Sequence, residues 1–361
     1  MAKVRVLVVE DSLTTRKYLV EVLSADPELE VVGEAADGKQ AIELCESLRP
    51  DVISMDMMLP FISGLAATEY IMAYCPTPIL IVSASTNRGE LLKTYDALSA
   101  GAVDVLEKPT AIPRSREWEA VYRKTIKLVS RIKVITHPRG RVAGRPLNPP
   151  DVFTITPARG AKFRVVAIGA STGGPAAVSR VLQGLPADFP LPILVVIHIN
   201  SPFGIALTEW LGSVSPIPVR SAVDGEPCPK PGQPQVILAP PDRHLAVREG
   251  RLWTTSEPER HHCRPSVDVL FESAAACLGS AVTACLLTGM GQDGARGLLA
   301  VRQAGGMTIA QDEQSCVIFG MPREAIRLDA ARQVLPLDQI APALRSLAKA
   351  SALKPNVPVE R

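Results

Sequence analysis

The stretch from Arg164 to Pro175, RVVAIGASTGGP, constrains the fold more than any other part of this sequence. Its first apolar residues, Val165 to Ile168, are typical of a strand buried on both faces of a sheet. Small residues follow, and after Pro175 apolar residues recur at helical spacing. A strand, a glycine-rich turn and a helix place Ser171 at the carboxyl end of a sheet, where the active sites of open α/β sheets lie.

The turn itself allows more than one interpretation. Residues 169–173 fit G-x-S-x-G, a pattern in which small neighbours let a sharp turn expose a serine hydroxyl. A glycine-rich turn can also cradle a phosphate or merely connect two elements. A nucleotide site would need a ribose-binding acid about 20 residues further on, after a second strand. Asp188 lies near that distance but precedes the strand, so we rank nucleotide binding last.

The length and charge of the chain limit the classes of protein it can belong to. Its 361 residues are enough for two domains, each with its own core. Hydrophobic residues make up 47% of the chain and charged residues 21%, as in ordinary globular proteins. The net charge of +2 argues against a nucleic-acid-binding surface and against a strongly acidic partner surface.

We expect a cytoplasmic protein without direct membrane insertion. No apolar run approaches the ~20 residues that cross a bilayer. The N-terminal apolar run is short, ends in acids and has no cleavage site, unlike a signal peptide.

The seven cysteines are scattered without a C-x-x-C pair, which is typical of reduced thiols. His261-His262-Cys263 has no second ligand cluster at zinc-site spacing, so we interpret it as a surface or partner-binding loop.

Strand-like and helix-like patterns alternate through residues 1–112. We predict strands at Val4–Val9, Leu29–Ala35, Asp51–Met55, Ile79–Ser83 and Val103–Glu107, with helices at Leu13–Leu23, Gln40–Leu48, Leu65–Tyr74 and Leu91–Ser99. Such alternation implies right-handed crossovers and a parallel sheet. The expected fold is therefore α/β, with a doubly wound (βα)5 domain at the N-terminus.

Polar residues follow the predicted strands of this domain at their carboxyl ends: Glu10, Asp11, Asp56, Ser83 and Lys108. Clustered carboxylates repel one another unless a cation lies between them, and oxygen ligands with open positions suit Mg²⁺. A lysine and a hydroxyl at the same edge can hold phosphoryl oxygens. Glu10 and Asp11 alone would indicate only charges at a helix N-terminus. Because polar residues follow several strands at the same edge of the sheet, we favour a binding site over simple helix-terminal charges.

This domain resembles a two-component receiver domain. The resemblance rests on the acidic pair Glu10-Asp11, on Asp56 followed by Pro60, on Ser83 and on Lys108-Pro109. It implies that Asp56 accepts a phosphoryl group and, with Glu10 and Asp11, binds Mg²⁺. It further implies that Ser83 is the switch hydroxyl and that Lys108 contacts the phosphoryl group.

Three positions depart from the receiver pattern. Leu59 stands where methionine is usual in that family, and Ser63 where an acid is frequent. Val105 occupies the position of the usual switch aromatic. The aromatic side chain that usually responds to phosphorylation in receiver domains is therefore absent at this position.

Residues 113–162 separate the two predicted domains. Apolar residues at helical spacing predict a closing helix over Trp118–Ile135, whose many basic charges we interpret as solvated. The segment from His137 to Ala161 is rich in proline, glycine and arginine and has no periodicity, which predicts a flexible linker. We expect the second domain over residues 163–349 and a tail over 350–361.

The strand and helix patterns resume after Arg164 and predict a second doubly wound α/β domain. We predict strands at Leu191–Ile197, Val236–Ala239, Val282–Leu287 and Met307–Ala310, a hairpin over His244–Thr254, and helices at Pro202–Leu211, Ser266–Leu278 and Ala295–Gln303. The hairpin is expected to turn at Glu249-Gly250.

Three reactive side chains fall at strand ends of this domain: Ser171, His198 and Asp293. A serine hydroxyl is a poor nucleophile until a histidine takes its proton and a carboxylate orients that histidine. The order Ser, His, Asp differs from the Ser, Asp, His of α/β hydrolases, which indicates an independent version of the triad. Alone, His198 would more often be a core histidine and Asp293 a helix cap. Together with the serine turn they favour catalysis.

The second domain resembles the catalytic domain of the chemotaxis protein-glutamate methylesterases, the CheB family. The resemblance covers most of residues 164–345 and rests on GASTGGP, on His198 at its strand end, and on RPSVDVLF, LTGMGQDGARG and IAQDEQSCVIFGMPREAI. It implies Ser171 as nucleophile, His198 as base and Asp293 as its partner. By the same analogy the backbone amides of Thr172 and Met290 form the oxyanion hole. Ile197 and Ile199 replace the Gln and Met that often flank the histidine.

The resemblance also implies a function. The protein would be a phosphorylation-activated serine hydrolase that removes methyl esters from glutamates on the cytoplasmic helices of methyl-accepting chemoreceptors, and that deamidates receptor glutamines. A chemotaxis histidine kinase would donate the phosphoryl group to Asp56, with Mg²⁺ as cofactor for that step and none for the ester chemistry. We expect the resting receiver to cover the cleft of Ser171 and phosphorylation to expose it. A non-enzymatic, phosphorylation-dependent adaptor is the alternative.

Overall fold

Short apolar runs form the strands of two parallel sheets in the computed structural model. The structure describes residues 2–84, 88–109, 115–132, 134, 163–199 and 203–352. The chain divides into two compact units, residues 1–146 and 147–361. The linker predicted from His137 to Ala161 lies outside the described residues, as do residues 353–361 of the predicted tail. The predicted domain boundaries therefore stay predictions. No helix in the described part of the chain is long and apolar enough to cross a membrane.

The first unit is a doubly wound α/β domain. Its strands are β1 (Val4–Val9), β2 (Leu29–Ala35), β3 (Val52–Met55), β4 (Ile79–Ser83) and β5 (Asp104–Glu107). Its helices are α1 (Leu13–Ser24), α2 (Gly38–Leu48), α3 (Gly64–Tyr74), α4 (Arg88–Ser99) and α5 (Arg116–Val129). The strands are parallel in the order β2-β1-β3-β4-β5, which confirms the predicted fold class. The order reverses between β1 and β3, where ligand sites of such sheets form.

Capping side chains decide where several of these helices begin. The side chains of Ser12, Asp37, Ser63 and Ser115 each accept a hydrogen bond from an amide three residues ahead. The closing helix therefore begins at Arg116, two residues before the predicted start. It ends at Val129, six residues before the predicted end, because Ser130 forms the C-cap.

The second unit is built on a sheet of seven parallel strands. Its strands are β6 (Val165–Ala170), β7 (Ile193–Ile197), β8 (Val219–Ser221), β9 (Glu226–Pro227), β10 (Val236–Leu238), β11 (His244–Arg248), β12 (Arg251–Thr255), β13 (Val282–Leu286), β14 (Met307–Gln311) and β15 (Gln333–Leu335). The order of the large sheet is β15-β14-β13-β6-β7-β10-β8, and β11-β12-β9 form a small antiparallel sheet. The order reverses at β6, so Ser171 follows the strand at the switch point.

Helices cover both faces of the large sheet. They are α6 (Gly174–Gln183), α7 (Phe203–Val214), α8 (Val267–Leu278), α9 (Ala295–Gln303), α10 (Met321–Arg327) and α11 (Leu337–Ala352). Phe271 of α8 and Leu298 of α9 are fully buried in a core with Val165 and Ala167 of β6. Val166 and Ile168 of β6 point to the opposite face and are fully buried as well. The second domain is thus also doubly wound, as predicted.

Candidate active site

Ser171 lies in the turn between β6 and α6. Its backbone N–H donates to the Thr288 carbonyl at 3.0 Å, and its own carbonyl accepts from Gly174 N at 2.6 Å. Gly173 caps α6 with a φ of +74°, a conformation that favours glycine. A Cβ there would also lie 2.7 Å from Val317 Cβ. The turn therefore depends on glycine and holds the half-buried Ser171 at the end of the sheet.

His198 follows the end of β7, the strand next to β6. Ile197 pairs in register with Ala170, and the N–H of His198 donates to the Ala170 carbonyl at 3.1 Å. Ser171 and His198 are therefore the next residues beyond the ends of two strands that lie about 4.8 Å apart. Within the described residues, Ser171 Oγ forms no hydrogen bond with the His198 ring; catalytic hydrogen bonds often tighten only in the substrate complex.

Asp293 is buried, with 2% of its surface exposed, and its carboxylate binds His198. Its Oδ2 accepts hydrogen bonds from His198 Nε2 and from Val267 N, both at 2.7 Å. Its Oδ1 accepts from Ser266 Oγ at 2.8 Å and from Asp268 N at 3.1 Å. The carboxylate thus lies at the N-terminus of α8, where a negative charge is favourable. The sequence predicts Asp293 only at the start of α9, and nothing in the residues around it indicates its contact with α8.

The pKa values of this pair shift in opposite directions. Burial opposes ionisation of Asp293, but the hydrogen bonds from His198, Ser266 and the Asp268 amide outweigh it and lower the pKa of the carboxyl. Burial alone would lower the pKa of His198, but Asp293 and the neighbouring Cys263 raise it to about 9. Asp293 is therefore held as a carboxylate, and the His198 imidazole beside it is more basic than usual.

The hydrogen bond to Asp293 determines which ring nitrogen can act as the base. A carboxylate only accepts hydrogen bonds, so Nε2 of His198 carries the proton. The lone pair of the neutral ring then lies on Nδ1. Cys263 Sγ lies 3.6 Å from this atom. Sequence reasoning assigned Cys263 to a surface or partner-binding loop and missed this contact, since 65 residues separate the two side chains.

The backbone amides predicted for the oxyanion hole adjoin Ser171. Thr172 follows it directly, and Met290 follows Gly289, whose Cβ, if present, would lie 2.7 Å from Ser171 Cβ. In the described part of the chain, neither the Thr172 N–H nor the Met290 N–H donates to another protein group. Two amides without protein acceptors beside a serine are suited to bind an oxyanion.

A second polar site lies at the carboxyl edge of the first sheet. Lys108 Nζ lies 2.7 Å from Glu10 Oε2 and 3.0 Å from Asp56 Oδ2. Glu10 and Asp56 are 2% and 4% exposed, so these charges are shielded from solvent. Ser83 ends β4, and its carbonyl accepts from Lys108 N at 2.9 Å. The sheet edge therefore gathers the residues predicted to bind a phosphoryl group.

The carboxylates at this edge fit a hard divalent cation. Oxygens of Glu10, Asp11 and Asp56 lie within 4.8 Å of one another, and Mg²⁺ prefers such ligands. Burial, assisted by the charge of Asp56, raises the pKa of Glu10 although Lys108 opposes the rise. Burial alone would lower the pKa of Lys108, but the charges of Asp56 and Glu10 raise it. Lys108 remains a cation between the two buried acids.

Comparison with known proteins finds a family match for each of the two domains. Residues 166–344 match the CheB methylesterase family and residues 6–117 the response regulator receiver domain. A protein-glutamate methylesterase/protein-glutamine glutaminase of Anaeromyxobacter dehalogenans is 43% identical over 96% of this chain and 97% of its own length. One from Myxococcus xanthus is 44% identical over 96% and 98%, respectively. The solved catalytic domain of Thermotoga maritima CheB methylesterase is 38% identical, covering 52% of this chain and 99% of that domain with a TM-score of 0.49. The chain belongs to the CheB methylesterase family and carries that family's receiver domain.

Proposed function

We propose that this protein hydrolyses glutamate methyl esters on methyl-accepting chemoreceptors and deamidates receptor glutamines by the same chemistry. The observation that carries the proposal is the hydrogen bond between His198 and Asp293 at the strand end next to Ser171. The names of the similar proteins from A. dehalogenans and M. xanthus include both activities.

The proposed reaction is acyl transfer through Ser171. Its Oγ attacks the ester carbonyl while His198 Nδ1 takes the hydroxyl proton, and Asp293 stabilises the imidazolium. The amides of Thr172 and Met290 donate to the oxygen that becomes negative. His198 returns the proton to the leaving methoxide, and methanol departs. Water then releases glutamate from the acyl-enzyme. With a glutamine side chain, ammonia leaves in place of methanol.

In this proposal the first domain controls the reaction. Asp56 accepts a phosphoryl group from a chemotaxis histidine kinase, and Glu10, Asp11 and Asp56 hold Mg²⁺, which offsets the charge of that group. Lys108 and Ser83 contact the phosphoryl oxygens. Phosphorylation replaces the single negative charge of the Asp56 carboxylate with a phosphoryl group that carries about 1.5 to 2, so roughly one charge is added at a site that already holds buried acids. Phosphorylation of Asp56 then raises the rate of ester hydrolysis at Ser171.

Methanol release from methylated receptor membranes tests the proposal. We expect release with the wild type and its loss in Ser171→Ala, because the nucleophile is gone. Ser256→Ala is the matched control, since Ser256 is an exposed serine in the loop after β12. Absence of release from the wild type in the presence of Mg²⁺ and acetyl phosphate would contradict the esterase proposal.

A further inference from the structure

Two cysteines of the first domain lie side by side between α2 and α3. Cys45 belongs to the buried face of α2. Cys75 is the C-cap of α3, and its N–H donates to the Ile71 carbonyl at 2.9 Å. The two Sγ atoms are 3.2 Å apart, although 30 residues separate the cysteines in the sequence. The packing of the two helices therefore creates a pair that no cysteine spacing indicates.

The distance between the two sulfur atoms is suited to bond formation. All seven cysteines of the chain are free in this structure, so the pair consists of two thiols. A disulfide bond is about 2.05 Å long, so the sulfur atoms must approach by only about 1.2 Å. Small rotations about the Cα–Cβ bonds of Cys45 and Cys75 move the sulfur atoms by this amount. The helices can therefore keep their places while the bond forms.

The surroundings distinguish the two thiols. Cys45 Sγ lies 3.4 Å from Thr77 Oγ1 and, as a thiol, can donate to the Cys75 carbonyl 3.8 Å away. The contact with Cys75, assisted by Thr77, lowers the pKa of Cys45 although burial opposes the change. The same contact and burial raise the pKa of Cys75. Cys45 is therefore the thiol that ionises first, and the ionised fraction is the form that an oxidant attacks.

We propose that Cys45 and Cys75 are a redox modification site, which a peroxide converts to a disulfide that links α2 and α3. Cys45 Sγ attacks one peroxide oxygen, so an S–O bond forms, the O–O bond breaks and water leaves. The Cys75 sulfur then attacks this sulfenic acid, so the S–S bond forms, the S–O bond breaks and a second water leaves. Two thiols are oxidised by two electrons, and one peroxide is reduced to two waters.

The position of the pair distinguishes it from the other deeply buried cysteine. Cys45 and Cys75 are 0% and 2% exposed, but Cys75 lies between the exposed residues Tyr74 and Pro76. The pair is thus close beneath the surface, within reach of a molecule as small as hydrogen peroxide. Cys285 on β13 is equally buried, and burial raises its pKa to about 12. In the described part of the chain, no second thiol forms a hydrogen bond with Cys285.

The disulfide would join the ends of a segment that carries Asp56. Residues 45–75 include β3, Asp56 and the whole of α3. α3 begins against the phosphoacceptor loop, since Gly64 N donates to the Met57 carbonyl at 3.2 Å and a Cβ at Gly64 would lie 2.1 Å from the Asp56 carbonyl oxygen. Oxidation is thus a second chemical input to the domain that carries Asp56. It does not rest on the esterase reaction.

Peroxide treatment of the full chain tests this inference. The protein is exposed to hydrogen peroxide, the remaining thiols are blocked with iodoacetamide in urea, and the peptides are identified by mass spectrometry. We expect a cross-linked pair of peptides with Cys45 and Cys75, lighter by two hydrogens, that dithiothreitol separates. The two cysteines should lose their reactivity together, at least about tenfold faster than Cys285.

Two variants serve as control and counterpart. Cys45→Ser keeps a polar atom beside Thr77 but should abolish the cross-link and leave Cys75 open to alkylation. Cys285→Ser should keep the cross-link. The proposal is overturned if Cys45 and Cys75 stay reduced at a peroxide concentration that oxidises the half-buried Cys277. A sulfinic acid on Cys45 without a cross-link would also overturn it. Both results are read from the wild type, so they do not depend on the folding of a variant.

Discussion

At the scale of single residues, Asp293 combines a structural and a chemical role. Its carboxylate accepts hydrogen bonds from two amides at the N-terminus of α8 and also from His198. These partners outweigh the effect of burial and keep its pKa below the ordinary range. The carboxylate is therefore ionised whenever the enzyme works, and the proton of the neutral His198 ring stays on Nε2. Nδ1 remains as the only ring atom that can accept the Ser171 proton.

This arrangement predicts an alkaline pH profile for ester hydrolysis. His198 has a pKa raised to about 9, so below that pH the ring is mostly protonated and cannot take the Ser171 proton. We expect kcat/KM to rise as pH increases and to level off above about 9. Methanol release measured from about pH 6 to about pH 10 would show this rise.

Asp293→Asn tests the origin of the alkaline profile. Without the carboxylate, the pKa of His198 should move toward the ordinary value of about 6.5. The rate should fall by about ten-thousand-fold, as for the same change in serine proteases, because the ring loses its tautomer control. Asp329→Asn is the control, since the Asp329 side chain is 84% exposed in an ion pair with Arg302. A wild-type rate already constant from about pH 7 would contradict the raised pKa.

At the scale of elements, the active site depends on three chain segments that approach one another closely at Gly289. Gly289, which follows β13, donates from its N–H to the Ile318 carbonyl at 3.1 Å and accepts from Met321 N at 2.9 Å. The Ser171 N–H donates to the neighbouring Thr288 carbonyl. The serine turn, the loop after β13 and the start of α10 are thereby joined through backbone groups. A side chain at Gly289 would separate them.

We expect Gly289→Ala to impair catalysis more than folding. The added Cβ would lie 2.3 Å from Met321 Sδ and 2.7 Å from Ser171 Cβ, so the serine turn must move. Such overpacking costs about 1–3 kcal/mol, while a small displacement of a nucleophile can reduce kcat by about a hundredfold. Gly212→Ala in α7 is the control, because its nearest atom is Val219 Cβ at 3.9 Å. Urea denaturation and methanol release would separate the two effects, and an unchanged kcat would contradict the prediction.

Local patterns in the sequence predicted most elements and the strand ends that carry Ser171 and His198. They did not predict the edge strands β8 and β15, because their sequences, VRS and QVL, lack the continuous apolar run that marks the equally short β10, VIL. The hairpin at Glu249-Gly250 was predicted from its turn residues and is confirmed. Cys263 and its contact with His198 could not be predicted, because they depend on how a distant turn packs on α8. Such contacts leave no trace in spacing or hydropathy.

At the scale of the whole molecule, each of the two sheets carries its polar cluster where the strand order reverses. Glu10 and Asp56 follow β1 and β3, and Ser171 follows β6, the strand at which the second sheet reverses. Crossover helices diverge on opposite faces at such points and leave a crevice. The two domains therefore share one architectural rule but carry different chemistry. The proposed function couples them through a single modification at Asp56.

Asp56→Asn in the full chain tests that coupling. We expect acetyl phosphate and Mg²⁺ to increase methanol release by the wild type and to have no effect on this variant, because the amide cannot form the acyl phosphate. Asp51→Asn should still respond, since Asp51 is an exposed carboxylate directly before β3, at the opposite end of the strand from Asp56. Activation of Asp56→Asn would move phosphorylation to another residue. Equal rates with and without acetyl phosphate in the wild type would keep the esterase but remove the control by Asp56.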